Sequence, residues 1–152
     1  MPLKVLELIS LVLAALVAGM FGGPWVAVSR SFAAFPPDVF LAVVHRMARN
    51  IGPVMTILLP AALLSIVPVL VLSYHVHPGT FYLSAAGFAA LVGALLVTMW
   101  VEVPIVTEMD TWTAATLPDD WQQRRDRWGA FHVVRVVAGI ATLVLLAAGA
   151  LV

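Results

Sequence analysis

The chain has 152 residues, of which 62% are hydrophobic and 11% charged, with a mean hydropathy of +1.05. A soluble domain carries about 25% charged residues, so this composition points to a single integral domain in a lipid bilayer. Zero net charge gives no footing for nucleic acid, and the absence of cysteine excludes disulfides, thiolate metal sites and cysteine nucleophiles.

The first apolar segment, about 5–28, is longer than a signal-peptide core and is interrupted by Glu7. It reads as a retained transmembrane helix. "FGGPW" near its end predicts a helix break or a close packing contact. In the connection over about 29–50, Asp38 follows Pro36-Pro37 as an N-cap would. Val39, Val43, Val44 and Met47 then recur at helical spacing, with Arg46 and Arg49 on another face. That pattern predicts a short amphipathic helix lying at the interface. The second span covers about 51–73, with Pro53 in its first turn and Pro60 and Pro68 as interior kinks. "YHVHPG" predicts a tight hairpin turned by Pro78-Gly79. The third span covers about 80–106. Its small residues Ala86, Ala90 and Gly93 suit close helix packing and, secondarily, a homo-oligomer. The connection over about 107–128 starts irregular. A helix beginning near Pro118-Asp119 then runs unbroken into the fourth span, about 129–152. The expected fold class is an all-α membrane protein, four transmembrane helices in a bundle plus the interfacial helix.

Seven of the eight Lys and Arg residues lie in or beside the two long connections, and only Lys4 lies opposite. The positive-inside rule puts those connections in the cytoplasm and both termini outside the cell membrane. Trp112, Trp121, Arg124, Arg125 and Arg127 read as interfacial anchors.

One constellation is not explained by anchoring. Trp128, His132, Arg135 and Gly139 are spaced 4, 3 and 4 residues apart and share a helix face, which Arg124 and Arg125 extend. A charge at membrane depth is costly unless paired or hydrated. Glu102 lies about 33 Å along the third helix from Thr80, at the same interface, and is the expected partner of Arg135. Trp25, His45, Arg46, Arg49 and Asn50 belong to that end as well. Glu102, His132 and Arg135 therefore predict either a functional pocket or a structural polar clamp. His45, Glu102 and His132 could form a two-histidine, one-carboxylate metal site, although no local ligand motif such as E-x-x-H supports it. His75 and His77 are an H-x-H pair without carboxylates. Glu7 and Glu102 in apolar segments admit a proton-coupled transporter, and a non-catalytic accessory subunit is the third reading.

The segments "GPWVAVSRSFAAFPP", "MARNIGP", "VEVPIV" and "WQQRRDRWGAFHVVRVVAG" together resemble the anthrone-oxygenase-like family, four-helix and mostly bacterial membrane proteins. The most specific part is the pattern made by Trp121, Arg125, Trp128, His132 and Arg135. Where the family has Asn-x-Pro-x-Asn, this chain has Glu102-Val-Pro104-Ile-Val106, a carboxylate in place of an amide. The resemblance implies cofactor-free oxygenation of an apolar aromatic small molecule at the membrane interface. On residue types, His132 would then be the base, Arg135 the oxyanion partner and Glu102 the group orienting the histidine. Trp128 would be a stacking wall, and Trp25, Arg49, Asn50 and Arg125 would complete the binding site.

Overall fold

The computed structural model describes residues 2–152. It is all α: α1 (Pro2–Ala27), a 3₁₀ segment (Ser29–Ala34), α2 (Pro37–Ser73), α3 (Pro78–Val97), a π-helical stretch (Thr98–Glu102), α4 (Val103–Met109) and α5 (Trp121–Leu151). The π stretch joins α3 to α4 without a break. Four helices are thus long and apolar enough to cross a membrane. They pack as a ring, α1 against α2 and α5, and α3 against the same two.

The interfacial helix expected in the first connection is not a separate element. Residues 37–50 form the first turns of α2, which continues through Pro53 to Ser73. Pro53 removes the amide that would bond the Arg49 carbonyl. The helix survives because packing holds it on both sides, with Phe40, Leu41 and Val44 buried before the proline and Leu59, Ala62 and Leu63 buried after it. At 37 residues, α2 is about 55 Å long against a hydrocarbon thickness of about 30 Å. The helix is therefore longer than the apolar layer is thick. Pro36, not Asp38, occupies the N-cap, and Asp38 sits in the first turn, where its charge complements the helix dipole.

Other local expectations are also corrected. α1 runs through Gly22, Gly23 and Pro24 unbroken, and a β-carbon on either glycine would meet nothing within 4 Å. The hairpin between α2 and α3 turns at Tyr74–His77, while Pro78 opens α3 at a first-turn position, where its missing amide costs nothing. Ala86 and Gly93 face outward. The packing seam of α3 is instead Ser84, Gly87, Leu91 and Ala94.

Lipid tails are as apolar as leucine, so hydrophobicity alone does not hold such helices together; close packing and hydrogen bonds do. Large side chains such as Leu64, Val71, Val137 and Val144 point outward. Small and hydroxylated ones point inward. A β-carbon on Gly139 would come within 3.2 Å of Phe21 and 3.4 Å of the Ala18 backbone, which brings α5 against α1. Gly87 and Gly149 bring α5 equally close to α3. Thr142 donates to the Gly87 carbonyl (3.1 Å), Thr80 to the Gly149 carbonyl (2.8 Å), and Ser10 of α1 to the Ser65 carbonyl of α2 (2.8 Å). Each bond ties two helices.

The polar end is a second core. Phe32, Phe40, Leu41, Val44, Met109, Trp112 and Trp128 cluster there, bringing together the 3₁₀ segment, the start of α2, α4 and the start of α5. Trp112 is buried in this cap, and Trp121 packs half-buried on its edge. Trp100, which is 74% exposed, does face outward.

Candidate functional site

Between the cap and the apolar core lies a cavity of about 400 Å³. Ligand pockets run to roughly 300–1,000 Å³. α1 contributes Met20, Phe21 and Pro24 to the wall, α2 contributes residues from Val44 to Pro60, the α3–α4 helix residues from Leu95 to Thr107, and α5 Trp128, His132 and Arg135. Four of the six methionines in the chain, Met20, Met47, Met55 and Met99, line it. Methionine is flexible and its sulfur packs well against aromatic ring edges, so this wall suits a flat aromatic guest.

The charged side chains gather at one wall. Arg135 Nη2 donates to Glu102 Oε2 (2.7 Å) and to His132 Nδ1 (2.8 Å). Arg135 Nη1 donates to Thr98 Oγ1 (3.4 Å), which in turn donates to the Ala94 carbonyl. The guanidinium lies over the Phe21 ring, 5.0 Å from its centre. Glu102 and Arg135 are both largely buried, with side chains 4% and 13% exposed. The expected ion pair is therefore formed, with His132 beside it. The expected role of Glu102 as the partner of His132 is not what the geometry gives, because Arg135 stands between them.

Two features of the chain aim these groups. Pro104 has no amide to return to the preceding turn, and the helix widens just before it. The Val103 amide bonds the Thr98 carbonyl, five residues back. Such π turns change the facing of the residues they contain. Here they put Thr98 and Glu102 on the cavity wall together. Across from them, α5 presents Trp128, His132 and Arg135 at the spacing legible in the sequence. Trp128 is held by stacking on Phe32, with ring centres 5.4 Å apart and planes at 25°.

Four buried polar atoms at this wall have no hydrogen-bond partner: Glu102 Oε1, Trp128 Nε1, His132 Nε2 and Arg135 Nε. The Trp128 indole lies beside the Glu102 carboxylate and the Phe21 backbone beside His132, so these atoms face polar neighbours as well as the cavity.

The remaining sequence candidates lie elsewhere. Trp25 is half-buried beneath Arg30, whose guanidinium is 5.5 Å from its ring centre, and Arg49 and Asn50 are exposed. Arg125 is buried in the cap, bonded to Asp126 and lying over Trp121. None of these four lines the cavity. His45 is engaged with the Met109 carbonyl (3.0 Å) and stands 3.8 Å from Asp110. It does not join Glu102 and His132, and no three metal-ligating side chains come together among the described residues. His75 and His77 are exposed in the distant hairpin. Phe21, Thr98 and Phe32 are the site residues that the sequence does not mark. Thr98 alone carried a signal, four residues before Glu102 on the same helix.

The cavity is confined to one end. Below it, Val17, Ile66, Leu91 and Ala94 form a fully buried apolar core. Glu7 lies at the other end of α1, with Lys4 Nζ 3.1 Å from its carboxylate and also donating to the Ala150 carbonyl. The mouth is lateral. Exposed Gly52, Thr56 and Pro60 of α2 face exposed Met99, Val103 and Thr107 of the neighbouring helix across it.

Fold and site together define a helical protein with four candidate membrane spans and an apolar cavity that carries one buried ion pair. The family model described as anthrone oxygenase matches residues 40–145, more than two thirds of the chain. The chain belongs to the anthrone oxygenase family, and the matched region contains Glu102, Trp128, His132 and Arg135. No curated protein and no solved structure matches it.

Proposed function

We propose that the protein is an integral membrane oxygenase that oxidises a flat, apolar aromatic carbon acid with O₂ and no cofactor. The observation that carries this reading is the juxtaposition of a methionine-lined cavity with a buried Glu102–Arg135–His132 cluster that has unused polar atoms. An anthrone has an acidic methylene group between two aromatic rings. Removing one of its protons leaves a carbanion delocalised onto the carbonyl oxygen, electron-rich enough to pass an electron to O₂. Recombination forms a C–O bond, and protonation gives a hydroperoxide. Loss of the second methylene proton with O–O cleavage releases water and leaves the quinone carbonyl. The methylene carbon gives up four electrons and one O₂ takes them, so the sum balances without another reductant. The protein need supply only a proton acceptor, donors for the developing oxyanion and an apolar wall. Trp128 and the methionines serve as that wall.

The direct test is oxygen uptake. Purified protein in lipid should consume one O₂ per anthrone, well above the rate of anthrone alone, and the rate should be unchanged by chelators. Uptake no faster than the protein-free control would sink the reading. Loss of uptake on chelation would instead demand a metal.

A transporter is less well supported. Glu7 and Glu102 lie at opposite ends with a dry core between them, and the cavity approaches only one end. Ligand entry is through the lateral mouth, from the bilayer. The seven-to-one distribution of Lys and Arg supports an orientation with the cap in the cytoplasm and both termini outside. A C-terminal reporter that works only in the cytoplasm should be silent; a bright one would reverse the orientation.

A further inference from the structure

We propose that Glu102, rather than His132, takes the substrate proton, with His132 donating to the oxygen that becomes charged. This assignment rests on the oxygenase reading above.

A guanidinium can only donate, so the Arg135 contact makes His132 Nδ1 an acceptor. The proton of the neutral imidazole then sits on Nε2, and the free nitrogen of His132 is a donor with no lone pair to offer. Trp128 Nε1 and Arg135 Nε are donors by nature. Thr98 Oγ1 accepts from Arg135 and donates to the Ala94 carbonyl, and a neutral hydroxyl is too weak a base to take a carbon-bound proton. Glu102 Oε1 is thus the one free acceptor among the four unpartnered atoms of this wall. Its other oxygen is held by Arg135 at 2.7 Å, which fixes the direction of the free lone pairs. The indole N–H of Trp128 lies beside the same carboxylate without closing a bond. One acceptor with a separate donor beyond it matches a substrate whose central ring loses a proton at one carbon while the oxygen on the opposite carbon gains charge.

In the step itself, a methylene C–H bond breaks and the proton moves to Glu102 Oε1. The electron pair of that bond passes through the rings to the carbonyl oxygen, which becomes an enolate and accepts from His132 Nε2–H. No oxidant takes part until O₂ arrives.

Hydrogen exchange separates this step from oxidation. Anthrone deuterated at the methylene group is held anaerobically with the protein in lipid, and loss of deuterium to water is followed above the protein-free rate. Glu102→Gln keeps an acceptor for Arg135 but cannot take a proton. It should lower both exchange and aerobic O₂ uptake by about 10²–10⁴-fold in the folded protein, beyond the stability lost with the counter-charge of Arg135. His132→Gln can still accept from Arg135 and still donate, so both rates should fall by no more than about tenfold. Wild-type exchange in Glu102→Gln, or a loss in His132→Gln as large as the one expected for Glu102→Gln, would return the proton to His132. If Glu102→Gln does not fold, Glu102→Asp decides. It keeps the charge but withdraws it by one methylene, so exchange should fall at least about tenfold, and an unchanged rate would overturn the assignment. A wild-type protein that neither exchanges nor consumes O₂ rejects the oxygenase reading and this step with it. A wild-type protein that turns over beside an equally active Glu102→Gln rejects this step alone.

Discussion

Arg135→Leu is expected to destabilise the protein by about 3–5 kcal/mol, because it strands the Glu102 carboxylate in a buried site without its counter-charge. Glu102→Leu should cost a similar amount for the mirror reason. The double change, Glu102→Leu with Arg135→Leu, should be much milder than the sum, since it leaves no orphaned charge. Thermal unfolding of the three variants in one detergent measures this. A double variant as unstable as both singles combined would show that the two groups do not interact. Recovery of stability in the double variant should not bring back the proposed activity, because Glu102, the proposed proton acceptor, and Arg135, which holds its carboxylate, are both gone.

Trp128→Ala should cost about 3–5 kcal/mol as well, here through packing. Trp128 joins two structures, stacking on Phe32 of the cap while lining the cavity. Its removal opens space between them. Trp128→Phe keeps a ring against Phe32 and should lose less than half as much stability, while forfeiting the indole N–H. Unfolding scans together with anthrone binding separate the two contributions. If Trp128→Ala melts with the wild type, the cap is not held by this stack.

The charged pair is legible in the sequence because each member interrupts an apolar run, and helical rise puts both at the same depth. Trp128, His132 and Arg135 are legible because one helix face collects them. What the sequence hides is everything that depends on which helix stands beside which. Nothing local to Phe21 or Phe32 announces that one lies beneath a guanidinium and the other beneath an indole. His45 has the chemistry of a ligand, yet α2 turns it towards the Met109 carbonyl. Pro53 and the amphipathic spacing before it suggest a boundary. Tertiary burial on both sides of the proline overrides that local preference and makes one helix of two expected ones. Trp112 and Trp121 have the composition of a membrane belt. They also belong to a folded cap, which requires Phe32, Phe40 and Met109 as neighbours. The π stretch, which ends at Glu102 two residues before Pro104, has no signature in the apolar spacing of the third span.

Under the proposed function, the sideways opening between α2 and the α3–α4 helix changes what concentration means for this protein. A guest that enters from the bilayer is delivered in proportion to its mole fraction among lipids, not its molarity in the buffer. Partitioning then does part of the work of affinity, and a modest intrinsic fit inside the cavity suffices for an insoluble ring system. Diluting a fixed quantity of substrate with inert lipid should therefore slow turnover even though nothing in the aqueous phase has changed.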